Sequence, residues 1–304
     1  MNLLSAEGLG TFKTMFISIV LEALPFLLLG VFVSSIMQAF IPESWIRRII
    51  PRNALLGVAV ASLLGIVFPV CECGMIPVVR RLVSKGMPLY AGVTFILAGP
   101  IVNPVVYSST FAAFQSLPQL VYARMGLAVA VSAVVGLIVL LVTKDNPMKQ
   151  ANFAHAGHSH GEASHPAGPG HRIEEMLKHA GGELFDMGKY LILGSLITAA
   201  IQAFIPRSEL IGIGQGEFGS HLFMMGFAFI LSICSTSDAF VASSFLGTFS
   251  VGSLLTFLVF GPMLDFKGTL MLLSVFKARF VLFLFVVVAL CVLAGSIVTG
   301  KLWL

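Results

Sequence analysis

The sequence predicts an all-α polytopic membrane protein made of two homologous, inverted repeats of about four to five helical segments each, with broken or re-entrant helices at the centre. Three observations carry this prediction: a composition rich in apolar and poor in charged residues, a series of charge-free stretches of bilayer length, and an internal repeat that runs from end to end.

The chain has 304 residues, of which 57% are hydrophobic and 11% charged, with a mean hydropathy of +0.98. Soluble domains carry about 25% charged residues, so a water-soluble globular protein is excluded. Residues 23–42, 53–71, 86–123, 125–143, 190–206, 239–264 and 280–300 contain no Asp, Glu, Lys, Arg or His, and roughly 20 apolar residues suffice for a helical span. The first stretch follows Glu7, Lys13 and Glu22 without a basic start or a small-residue cleavage site, so it is expected to remain as a span. The net charge of +4 comes from basic residues at span ends, among them Arg47, Arg48, Arg52, Arg80, Arg81, Lys85, Lys144 and Lys149. That is the pattern of the positive-inside rule, with the lipid bilayer as partner and no nucleic acid. Cys71, Cys73, Cys234 and Cys291 all lie in or beside apolar segments, which argues against a disulfide framework.

The repeat organises the chain. Gln38-Ala39-Phe40-Ile41-Pro42 recurs as Gln202-Ala203-Phe204-Ile205-Pro206, and Leu27 to Gly30 matches Leu191 to Gly194 in the same register. Thr94 to Pro100 with Asn103 matches Thr256 to Pro262 with Asp265, Cys71 matches Cys234, and Ala123-Arg124 matches Ala278-Arg279. Self-similarity in preserved order marks a duplicated architecture, here residues 1–142 and 183–304. Residues 143–182 hold six of the seven histidines with Gly, Pro and mixed charges, and read as a polar linker. If Arg47, Arg48 and Arg52 are cytoplasmic and 53–85 is a re-entrant pair, the linker is cytoplasmic and the second half is inverted.

Chemistry gathers where the helices should break. Pro69-Val70-Cys71-Glu72-Cys73-Gly74-Met75-Ile76-Pro77 places prolines and a glycine around a carboxylate flanked by two thiols. Irregular backbone at membrane depth is tolerated where it is buried or lines a cavity, and an intramembrane carboxylate marks a functional site by default. Thiolates select copper(I), zinc and similar soft ions; the alternative is that the cysteines pack a tight turn. The matching segment, Cys234-Ser235-Thr236-Ser237-Asp238, reads as the start of a half-helix, where Ser, Thr and Asp cap. Its register with Cys71 makes Cys234, Ser235, Ser237 and Asp238 candidate ligands.

Gly99-Pro100-Ile101-Val102-Asn103-Pro104 and Gly261-Pro262-Met263-Leu264-Asp265 read as interrupted helices. Asn103 and Asp265 are candidates to face one another as oxygen ligands or a proton site, or to bond freed carbonyls. Glu22 and Asp186, equivalent and each near the start of its half's first helix, are candidate proton relays. In the linker His155, His158, His160, His165 and His171 form a tract suited to metal collection. His221 and Cys291 read as structural. No nucleotide-binding loop, zinc-protease helix or nucleophile elbow occurs. No catalytic residue and no resident cofactor are expected, and transport would draw on an ion gradient or the membrane potential.

The paired halves, the Pro-x-Cys-x-Cys-Gly-x-x-Pro segment from Pro69 to Pro77, Gly-Pro-x-x-Asn from Gly99 to Asn103, and Cys-Ser-x-Ser-Asp-Ala-Phe from Cys234 to Phe240 resemble bacterial inner-membrane permeases that include the arsenical efflux permeases. Cys-Glu-Cys-Gly with a His-rich linker is similar to the branch described as copper/zinc efflux transporters. Arsenical-type members carry Ser or another residue where Glu72 stands. The resemblance implies a multi-pass protein of the bacterial inner membrane that exports soft metal ions, zinc or copper, through a Cys/Glu/Asp site between the repeats, and it admits a homo-oligomer. Arsenite or trivalent organoarsenicals are the alternative substrates. A membrane thiol oxidoreductase using Cys71 and Cys73, or a metal-sensing subunit, are the readings of another class.

Overall fold

The computed structural model describes residues 6–40, 53–67, 71–143, 147–148, 169–204 and 216–303. Among them twelve helices occur. The first half contributes α1 (Ala6–Phe40), α2 (Ala54–Val67), α3 (Glu72–Ser84), α4 (Leu89–Ala98), α5 (Pro104–Ala113) and α6 (Pro118–Val142). The second contributes α7 (Pro169–Phe204), α8 (Glu217–Leu231), α9 (Asp238–Ser243), α10 (Val251–Met263), α11 (Phe266–Val275) and α12 (Ala278–Leu302). Six elements a half exceed the expected number because each interrupted segment supplies two. Five helical segments of the described residues are long and apolar enough to cross a membrane: Leu9–Met37, Pro118–Val142, Ala180–Ala203, Val251–Val275 and Ala278–Leu302. The protein is therefore an all-helical, multi-pass membrane protein.

One boundary differs from expectation. The first apolar segment starts at Leu9 rather than residue 23, so Glu22 lies in mid-span instead of near a helix start. Counting charge-free residues breaks a span at every ionisable group, although a helix flanked by protein accommodates one such group. Similarly, α7 begins at Pro169, inside the stretch expected as linker.

Contacts between residues fix the helix directions. Gly57 lies against Tyr90 and Gly65 against Gly99, so α2 and α4 run the same way. Gly92 lies against Val79 and Val83, and Gly99 against Met75, so α3 runs opposite to both. Residues 53–85 thus enter and turn back. At 1.5 Å per residue, α2 and α3 reach only about 20 Å each, short of the ~30 Å hydrocarbon core. In the second half Gly252 lies against His221 and Gly261 against Ala228, so α8 and α10 are parallel as well. The end of α6 sits beside the start of α12, where Met148 bridges Phe276 and the Lys277 N–H donates to the Pro147 carbonyl at 2.9 Å. Leu127 meets Gly295 further along, so α6 and α12 are antiparallel.

The halves join through α1 on α7, α3 on α11, α5 on α9, α4 on α10, and α6 on α10 and α12. Glycines permit the tightest crossings: a Cβ on Gly30 would lie 2.5 Å from the Gly74 Cα, and one on Gly65 2.7 Å from the Gly99 Cα. Such small-residue approaches suit membrane helices, where close packing replaces the hydrophobic drive of water. His221, buried in α8, ties three helices together: its Nδ1 lies 2.7 Å from Thr256 Oγ1 on α10, which donates to Ser296 Oγ on α12 at 2.7 Å.

Candidate functional site

The interrupted helices bring their ends to one junction. The end of α2, the start of α3 and the end of α4 meet around Gly65, Met75 and Gly99. Polar side chains complete each break. Asn103 accepts from the Val106 N–H at 2.9 Å through Oδ1 and donates from Nδ2 to the Gly99 and Pro100 carbonyls at 3.2 and 3.3 Å. Asp265 accepts from the Gly268 N–H at 2.6 Å and from the Ser232 hydroxyl. Capping side chains of this kind satisfy N–H groups that a helix start leaves open. Each residue thus caps its own helix, and no hydrogen bond joins Asn103 to Asp265.

Cys71 is the N-cap residue of α3, its carbonyl accepting from the Gly74 and Met75 N–H groups at 3.1 Å. The Cys71 and Cys73 thiols interact electrostatically. Glu72 between them is 7% exposed, and its Oε2 has no hydrogen-bond partner among the described residues. Its Cγ approaches the first turn of α11, 4.0 Å from where a Cβ on Gly268 would lie. Glu72 interacts electrostatically with Cys71, Asp265 and Lys267, and Cys234 with Glu72 and Cys71. Five of the nine sequence-derived site residues therefore gather: Cys71, Glu72, Cys73, Cys234 and Asp265.

Lys267 joins this cluster, buried and within electrostatic reach of Asp265, Cys73, Glu72 and Glu22. Sequence reasoning passed over it, although a lysine two residues after Asp265, just beyond the Gly261-Pro262 break, signals an intramembrane charge. Ser232 was also missed. It ends α8 with φ 50°, a left-handed conformation uncommon outside glycine, and its oxygen accepts from the Lys267 N–H at 3.3 Å while its hydroxyl holds Asp265.

The remaining second-half residues do something else. Asp238 is paired with Arg124: the guanidinium, fully buried, donates from Nη2 to Asp238 Oδ2 at 2.6 Å and to the Ser235 carbonyl at 3.2 Å, and from Nη1 to Thr110 Oγ1 at 2.8 Å. Ser237 is exposed and makes no side-chain cap. A second pair links the halves near the end of α3, where Glu183 Oε2 on α7 accepts from the Ser34 hydroxyl at 3.0 Å and lies 3.5 Å from Arg81 Nε. Glu22 is exposed on α1, and Asp186 is exposed and paired with Lys189 at 3.1 Å. His155, His158, His160 and His165 lie outside the described residues, and of His171 only the backbone is described. Cys291 is partly buried in α12.

This junction offers two neighbouring buried thiols, a third within electrostatic reach, and a carboxylate oxygen free to accept. Among the described residues no group of three or more His, Cys, Asp or Glu side chains is arranged to hold a metal ion.

Comparison with known proteins places this architecture. Residues 8–301 match the family described as "Predicted permease". The chain is 49% identical over 295 residues to the UPF0718 protein YcgR of Bacillus subtilis (strain 168), covering 94% of this chain and 95% of that one. It is 37% identical over 267 residues to a Streptococcus mutans protein carried under the provisional name of two-component membrane permease complex subunit, covering 88% and 87%. No solved structure matches the chain. The chain belongs to the predicted permease family.

Proposed function

We propose that the protein is a secondary-type permease of the bacterial inner membrane that exports a thiol-seeking metal ion from the cytoplasm. The observation that carries this reading is the burial of Cys71, Glu72 and Cys73 at the junction of the broken helices, with the buried Cys234 of the other half within electrostatic reach of Glu72 and Cys71. Thiolates bind soft ions, and a site between two repeats is where alternating access works. The antiparallel course of α6 and α12, the last helices of the two halves, supports an inverted duplication with residues 143–182 as a cytoplasmic linker.

Of the two metals, the geometry favours copper(I). Zinc takes four ligands in most sites, whereas two neighbouring thiols suit an ion content with fewer. The linker histidines, His155, His158, His160, His165 and His171, would collect the ion before it enters. Arsenite remains the second substrate class, because Cys234 lies close enough to act on Cys71 and so to add a third sulfur as the halves move. By analogy with the relative's name, the working unit contains a second membrane subunit.

The test is uptake by everted vesicles of copper(I), zinc and arsenite, read by elemental analysis, for wild type and Cys71→Ser/Cys73→Ser. Copper uptake that disappears in the double variant is the expected result. Uptake of copper that ignores both substitutions would sink the thiol site, and uptake of arsenite alone would replace the substrate.

A further inference from the structure

Two buried ion pairs join the halves, and they lie on opposite faces of the cysteine junction. Arg81 and Glu183 sit on the face where α6 ends and α12 begins: α3 carries Arg81 at its far end from Cys71, and α4, which starts just beyond it, packs its first turns against Gly136 near the end of α6. Arg124 is in the second turn of α6, and Thr110 in the last turn of α5, so their pair with Asp238 lies toward the opposite face. Each pair takes one partner from each half.

The pairs differ in tightness. Arg124 and Asp238 have side chains 0% and 3% exposed and meet at 2.6 Å, with Thr110 and the Ser235 carbonyl holding the guanidinium in place. Arg81 is 15% exposed, its Nε stands 3.5 Å from Glu183, and no hydrogen bond to that atom forms. One bonded contact, Ser34 to Glu183, supports that side. Asp238 also belongs to the segment that carries Cys234, four residues away, so the Arg124 guanidinium positions the third thiol as well.

We infer that the Arg124–Asp238 and Arg81–Glu183 pairs are the two gates of the permease, the first closed and the second loosened in this conformation. The inference rests on the permease reading and adds its gating. Breaking the first pair lets α9 leave α5 and α6, which opens the junction toward the face opposite the linker. A buried pair that loses one partner leaves an uncompensated charge, so each gate favours the closed arrangement until a rearrangement of the halves separates both partners together.

Thiol accessibility tests this without knowledge of the substrate. In a Cys291→Ser background, Cys71, Cys73 and Cys234 are the thiols that remain. Labelling with a membrane-impermeant maleimide is compared in right-side-out and inside-out vesicles. The parent protein is expected to label faster from the linker face. Arg124→Gln/Asp238→Asn, which removes both charges at once, is expected to raise labelling from the opposite face at least about tenfold. The exchanged pair Arg124→Asp/Asp238→Arg is expected to restore closure. Arg81→Gln/Glu183→Gln is expected to change labelling from the linker face alone. Unchanged opposite-face labelling in Arg124→Gln/Asp238→Asn protein that elutes as a single species would overturn the inference, as would equal labelling of the parent from both faces. The metal uptake assay reports separately on the permease reading: variants that gate thiols in a protein that moves no metal would keep the gates and discard the substrate.

Discussion

The start of α3 and the start of α9 occupy matching places in the two halves, yet their side chains are employed in opposite ways. At α3 two buried thiols flank Glu72, whose carboxylate has an unpartnered oxygen. At α9 the carboxylate of Asp238 is clamped by a buried arginine, and the helix is 6 residues long against 13 for α3. Each break keeps one buried carboxylate oxygen without a partner, Glu72 Oε2 and Asp238 Oδ1, but Asp238 spends its other oxygen on Arg124. Buried polar groups without partners are costly and persist where they have a task, and in the proposed permease the first break, with its carboxylate unpaired, is the one assigned to the substrate.

That contrast is sharpened first by cysteine substitution. Cys71→Ser/Cys73→Ser should abolish uptake, while Cys234→Ser should weaken it by about tenfold or less, since its site keeps two thiols. Equal loss in both would make the two breaks functionally alike. The next effect is on stability. Gly30 and Gly194 are equivalent, but a Cβ on Gly30 meets Gly74 backbone at 2.5 Å, whereas one on Gly194 meets Lys267 at 3.2 Å. Gly30→Ala is expected to cost ~1–3 kcal/mol as overpacking against backbone. Gly194→Ala should change stability by less than about 1 kcal/mol, because better helix propensity offsets the tighter contact. Thermal unfolding in detergent compares them, and matched losses would show that the two crossings are equally strict.

Smaller again are the caps. Asn103→Ala and Asp265→Ala each remove a side-chain cap, at ~1 kcal/mol apiece. Asp265→Asn keeps the cap and should leave stability within about 0.5 kcal/mol, while altering uptake if the carboxylate serves the junction with Lys267. An uptake rate unchanged in Asp265→Asn would reduce Asp265 to the capping role of Asn103.

The all-helical, multi-pass plan was legible in the sequence because its charge-free stretches have bilayer length, and the prolines and glycines at Pro69, Gly99 and Gly261 mark breaks on chemical grounds. The charged partners were not. Arg124 separates two charge-free stretches, so it reads as a span boundary, but in the fold it lies in the second turn of a continuous helix, α6, and is wholly buried. Its repeat counterpart Arg279 is exposed at the start of α12. Equivalent position therefore does not carry equivalent environment, and no periodicity tells a buried arginine from a boundary one. Asp238 likewise reads as a ligand until its partner, 114 positions away in the chain, is known.

The ties between the halves have a meaning for cutting the chain. Arg124 finds its anion, and Arg81 and Ser34 find theirs, in the other half. A single half set in a bilayer would hold these groups unmatched in a medium without water to solvate them. Two fragments divided between the halves would therefore depend on each other for their counter-charges and be stable only together.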